Sequence, residues 1–123
     1  MRTWRKSGSI PRLRASRNPN RWRFVMVKVA IVARVKAKPG KEEEVAAFLS
    51  SALPLAQAEP ATLCWFALRF SQSEFGIFDA FPDKAGREAH LNGRIAAALM
   101  AKAGELLSEP PKIEQVDVLA AKL

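Results

Sequence analysis

Residues Thr62–Phe81 read TLCWFALRFSQSEFGIFDAF. Two apolar runs, Thr62–Phe70 and Glu74–Phe81, flank the short polar connection Ser71-Gln72-Ser73, which is the pattern of a β-hairpin. With a period of two, Cys64, Phe66, Leu68 and Phe70 share one face of the first run, and Leu63, Trp65 and Ala67 share the other. Both faces are apolar. Pairing Phe70 with Glu74 sets Trp65 opposite Asp79 and Arg69 opposite Phe75. A short chain can cover one such face with its own helices. The second face calls for a further layer, and a second subunit supplies it.

Upstream, Val25–Ala37 alternates strictly. Val27, Val29, Ile31, Ala33 and Val35 form one face, with Lys28, Ala30, Val32, Arg34 and Lys36 on the other, as in a strand with one buried face. Lys38-Pro39-Gly40-Lys41 is a turn. Glu42, Glu43 and Glu44 place acid in a first helical turn, where the macrodipole favours it. Val45, Phe48, Leu49, Ala52, Leu53 and Ala56 follow with helical spacing, and Pro54 is expected to kink or end that helix. Downstream, Asp83 is a candidate N-cap, a helix runs to Leu91, and Asn92-Gly93 stops it. A further helix spans Arg94 to Leu107, Pro110-Pro111 ends it, and Lys112–Ala121 reads as the last strand. The order β-α-β-β-α-β predicts an α+β, ferredoxin-like fold, a four-stranded antiparallel sheet with its helices on one face.

The 123 residues suffice for one domain, and the formal net charge of +8 is unevenly placed. Residues 1–24 hold eight basic side chains and no acid, so the remainder is neutral. Residues 1–25 therefore read as a basic, disordered leader, and 26–123 as the domain. Met26, directly before the first strand, reads as an alternative start; a transit peptide and a basic arm on nucleic acid are the other readings of the leader. Nucleic acid is not an expected partner of the neutral domain. No apolar run approaches the ~20 residues a bilayer span needs, so no membrane partner is expected. One cysteine, Cys64, forms no internal disulfide, which fits a reducing, cytoplasmic compartment. One histidine and one cysteine cannot build a His/Cys metal cluster, and no glycine spacing matches a nucleotide fingerprint.

VKVAIVARVKAKPGKEEEVAAFL (Val27–Leu49), WFALRFSQSEFGIFDAFPD (Trp65–Asp83) and REAHLNGRIAAAL (Arg87–Leu99) together resemble the antibiotic biosynthesis monooxygenase (ABM) domain family, in its quinol-monooxygenase-like branch of the dimeric α/β barrels. The resemblance covers Met26 to Ala121. It implies a homodimer whose sheets pack face to face. It also implies oxidation of small electron-rich aromatics, phenols or quinols, with O2 as co-substrate and no other cofactor, metal or flavin. The chain departs from relatives in having no tyrosine and in placing Phe81 where many carry tryptophan. Its first strand has no asparagine, which sets it apart from the haem-degrading branch.

Such chemistry needs an apolar pocket, a group that takes a phenolic proton, and exclusion of water. His90, the only histidine, lies on the helix where family members often carry one, and an imidazole suits proton abstraction near neutral pH. Helical spacing places Arg87 beside it, and Arg94 as well if the helix continues through Asn92-Gly93, where they would hold it neutral; the plainer alternative is a surface histidine among solvated arginines. Trp65 offers a stacking wall with one N–H donor. Asp79 is an acid in an otherwise apolar run and must find a partner if buried, with Arg34 as one possibility. Phe66, Phe78, Phe81 and Arg34 complete the expected substrate-binding set. His90 and Trp65 are the expected catalytic residues.

Overall fold

The computed structural model describes residues 27–123; the leader 1–25 lies outside the described residues. Among the described residues, eight elements follow one another: β1 (Val29–Lys36), α1 (Glu42–Ser51), α2 (Leu53–Gln57), β2 (Cys64–Arg69), β3 (Glu74–Phe81), α3 (Lys84–Leu91), α4 (Arg94–Leu106) and β4 (Lys112–Asp117). The four strands form one antiparallel sheet in the order β2-β3-β1-β4, the ferredoxin-like arrangement with helices against one face.

The hairpin register follows its sequence pattern. Phe70 N–H donates to Glu74 O at 2.8 Å, and Trp65 stands opposite Asp79 and Arg69 opposite Phe75. On β1, alternation buries Val29, Ile31, Ala33 and Val35. They meet Phe81, Asp79, Ile77 and Phe75 of β3 across the ladder. Val45 and Leu49 of α1 and Leu99 and Leu106 of α4 close over that face, making the main core with Val35, Phe75 and Ile77. Gly40 adopts φ 87°, a left-handed conformation that glycine takes without a Cβ clash, in the turn after β1.

Pro54 divides what spacing alone would read as one helix. It occupies the first turn of α2, where its missing N–H is unneeded, and Ala52 caps both α1 and α2. The break leaves Leu53, which the spacing assigns to the buried stripe, 44% exposed. At α3, Asp83 accepts from the Gly86 N–H at 2.8 Å, and Asn92 ends the helix.

Among the described residues, no helix lies over the opposite sheet face. Phe66, Leu68 and Phe70 are exposed there, with Phe78 beside Phe66, ring centroids 6.3 Å apart. Among the described residues, no helix is long and apolar enough to cross a membrane.

Candidate active site

The helix-facing row of β3 is Phe75, Ile77, Asp79 and Phe81, all buried. Asp79, with no exposure, is thus a carboxylate in an apolar row. Its cross-strand neighbours are Ile31 on β1 and Trp65 on β2, and neither carries a charge. The partner comes from the helix layer. The Asp83 cap sets the start of α3 so that Gly86, Arg87 and His90 turn inward, and His90 Nε2 lies 2.8 Å from Asp79 Oδ2. Its ring also packs on Phe81, centroids 5.3 Å apart. The Asp79 contact is a short but oblique ion-pair contact. Neither Asp79 oxygen makes an aligned hydrogen bond, and the buried indole N–H of Trp65 also has no acceptor among the described residues.

A second carboxylate holds the other ring nitrogen. His90 Nδ1 lies 2.6 Å from Glu59 Oε1, in the segment after α2, and the same oxygen accepts from Thr62 Oγ1 at 2.7 Å. Burial pulls the imidazole pKa down, but pairing with Asp79 and then Glu59 outweighs it and leaves it raised to about 9. Burial raises the Asp79 pKa more than pairing with His90 lowers it. At neutral pH His90 is therefore an imidazolium between two acids.

The i−3 and i+4 spacing predicts Arg87 and Arg94 around a neutral imidazole, and the structure replaces that arrangement. Arg87 Nη1 donates to Val116 O at 3.1 Å and Ala30 O at 3.4 Å. Arg94 is exposed, because the break at Asn92-Gly93 starts a new helix. Arg34 is no partner for Asp79 either. It stands opposite Gly76 on β1, so it projects from the other sheet face, where it covers the Phe70 ring at 4.6 Å.

His90 and Asp79 line one small apolar cavity, about 50 Å³, between the sheet and α3–α4. Ile31, Ile77, Ile95 and Leu99 form its walls. Met100 and Ile113 also line it and are 59% and 43% exposed. The volume suits a diatomic molecule or water. It is well below the ~150 Å³ that holds a benzene ring, so an aromatic enters only if side chains such as Met100 give way.

The expected site residues thus divide. His90 and Asp79 meet in the cavity, with Phe81 buried behind the imidazole. Trp65 stands opposite Asp79 but packs its ring into the core around Ala52, Ala56 and Ile95. Phe66, Phe78 and Arg34 lie on the opposite sheet face, because residues of one strand differing by an odd number project oppositely. Glu59 goes unmarked in the sequence. Its only signal is an isolated acid in an alanine-rich stretch, and it lies 31 residues from the histidine it meets. Cys64 is half-buried, and burial and the Asp79 charge push its thiol pKa up. Among the described residues, no group of three or more metal-ligating side chains is placed to hold a metal ion.

No family model matches the chain, and no curated protein does. Solved structures do. The protein NE2512 of unknown function from Nitrosomonas europaea is 64% identical, covering 80% of this chain and 95% of its own, with a TM-score of 0.78. Rv0793 from Mycobacterium tuberculosis is 20% identical over 76% of this chain and 97% of its own, with a TM-score of 0.68. A structure described as an antibiotic biosynthesis monooxygenase is 15% identical over 75% of this chain and 99% of its own, with a TM-score of 0.65.

Proposed function

We infer that this chain, which belongs to one family with NE2512 of Nitrosomonas europaea and has the antibiotic biosynthesis monooxygenase fold, is a cofactor-independent monooxygenase for a small phenolic or quinol-type aromatic. The observation that carries this reading is the buried Asp79–His90 pair in the wall of an apolar cavity. Ionisable groups held in such a place are what proton abstraction in a dry pocket requires.

The proposed reaction begins with the substrate's hydroxyl against Asp79. The O–H bond breaks, its proton passes to the carboxylate, and the adjacent imidazolium stabilises the phenolate. The phenolate, unlike the phenol, gives an electron readily to O2. For a simple phenol the balance is phenol plus O2 to quinone plus water. One oxygen atom enters the ring as a carbonyl, the other leaves as water, and the substrate supplies four electrons. Ile31, Ile77, Ile95 and Leu99 would keep bulk water from the intermediate.

The exposed sheet face of Phe66, Leu68, Phe70 and Phe78 fits a second copy of the chain, sheet against sheet. A second reading, a non-catalytic ligand-binding dimer, is favoured by the small cavity and by the engagement of both imidazole nitrogens. An oxygen electrode separates the two. Chelator-treated protein is given a panel of phenols and hydroquinones. Oxygen uptake with quinone formation, lost in His90→Ala and Asp79→Asn, supports the enzyme. Thermal stabilisation by the same compounds without oxygen uptake supports the binding protein.

A further inference from the structure

Three groups in contact step outward from the cavity. Side-chain exposure rises from 1% at Asp79 to 8% at His90 and 22% at Glu59. One imidazole bridges them, 2.8 Å from Asp79 Oδ2 and 2.6 Å from Glu59 Oε1. A single carboxylate suffices to orient a buried imidazole, and the second, Glu59, is only half-buried and stands on the side nearer water. The local backbone also makes room for that second acid. A Cβ on Gly93, at the N-cap of α4, would stand 3.1 Å from Glu59 Oε2, and 3.2 and 3.3 Å from the His90 and Ala89 carbonyl oxygens. Among the described residues, Arg87 is bonded to Ala30 O and Val116 O, Arg94 is exposed, and burial and the Asp79 charge favour the neutral Cys64 thiol.

We propose that Glu59 is a proton-relay residue, the solvent end of a path Asp79–His90–Glu59 that connects the cavity to water. As a proton enters on Asp79, the His90 Nδ1–H bond breaks and its proton passes to Glu59 Oε1 and on to water. The three groups keep the same total charge, so the cavity accepts a proton without burying new charge. The reverse movement returns one. This relay rests on the proposed monooxygenase reading only for what the proton movement serves.

The single histidine makes the test unambiguous. In the full chain labelled with ¹⁵N-histidine, NMR magnetisation transfer gives the rate at which the ring N–H protons exchange with water. Glu59→Gln keeps the shape and the hydrogen bonds but cannot carry a proton. Exchange is expected to slow by at least about tenfold, and Glu59→Asp, which draws the carboxylate back by one methylene, slows it too. Unchanged exchange in folded Glu59→Gln overturns the relay, since a merely orienting Glu59 would leave the rate as it is. Should that variant not fold, Glu59→Asp decides in its place. Under the monooxygenase reading, Glu59→Gln also lowers kcat with KM unchanged. Slowed exchange in a protein that oxidises nothing leaves the relay standing and the enzyme reading refuted. Unchanged exchange with full turnover in Glu59→Gln does the opposite.

Discussion

His90 Nε2 lies 2.8 Å from Asp79 Oδ2, joining the second turn of α3 to the C-terminal half of β3. The contact places opposite charges inside an apolar layer, where each needs the other. Burial penalises both ions, and their attraction is strong because little water screens it. Stability, ionisation and the proposed chemistry therefore all depend on this pair.

Stability should fall as the medium becomes alkaline. The His90 pKa rises from 6.5 in the unfolded chain to about 9 in the folded one. Its contribution is complete below pH 6.5 and is lost as the pH climbs through about 9. The shift corresponds to about 3 kcal/mol. The raised Asp79 pKa acts in the same direction, subtracting stability above the unfolded value of 3.8. Urea titrations at pH 6, 7.5 and 9 should show midpoints decreasing in that order, and His90→Gln should flatten the upper part of the series.

Removing the two partners should have unequal effects. His90→Gln leaves Asp79 as a buried carboxylate without a cation, a change that costs about 3–5 kcal/mol in comparable buried pairs. Asp79→Asn removes the ion that burial most disfavours, and the imidazole keeps Glu59 at 2.6 Å. The asparagine variant should be the more stable of the two by denaturant midpoint, and its His90 should titrate below about 9 by NMR.

Gly76→Ala should destabilise the sheet. A Cβ there would stand 2.7 Å from Ala33 O and 2.8 Å from the Phe70 ring. The carbonyl belongs to the β1 ladder and cannot move away, and the ring is held beneath the Arg34 guanidinium. A loss of about 1–3 kcal/mol is expected, read as a lower thermal midpoint. An unchanged midpoint would show that the sheet absorbs the methyl group.

Phe66→Glu should split the proposed dimer. Phe66 is 50% exposed in the single chain, and a carboxylate at that place would be buried without a partner between two sheets. Light scattering should give a dimer mass for the native protein and a monomer mass for the variant. Because Phe66 lies on the face away from His90, the His90 titration should not change.

Much of the architecture is legible in local pattern. Alternation over Val27–Val35 assigns the buried face of β1. The three-residue connection between Phe70 and Glu74 sets a register in which Trp65 meets Asp79. Asp83 caps α3, and Pro54 divides α1 from α2. These features rest on the two-residue strand period, proline's missing donor and the unpaired N–H groups of a first helical turn. All act within a few residues of their cause.

The site depends on distances of another kind. Asp79 in FGIFDAF is visibly an acid in need of a partner. That the partner is His90 and not Arg34 depends on which sheet face each side chain leaves from and on how α3 lies across β3. Glu59 reaches His90 only because the segment after α2 runs beside α3. The spacing that suggests arginine neighbours for His90 assumes a continuous helix, which Asn92-Gly93 interrupts. Periodicity and capping assign elements and faces because they are short-range backbone effects. The charge state of an imidazole is decided by whatever the packed layers bring within about 3 Å of it, and that follows from the assembled fold alone.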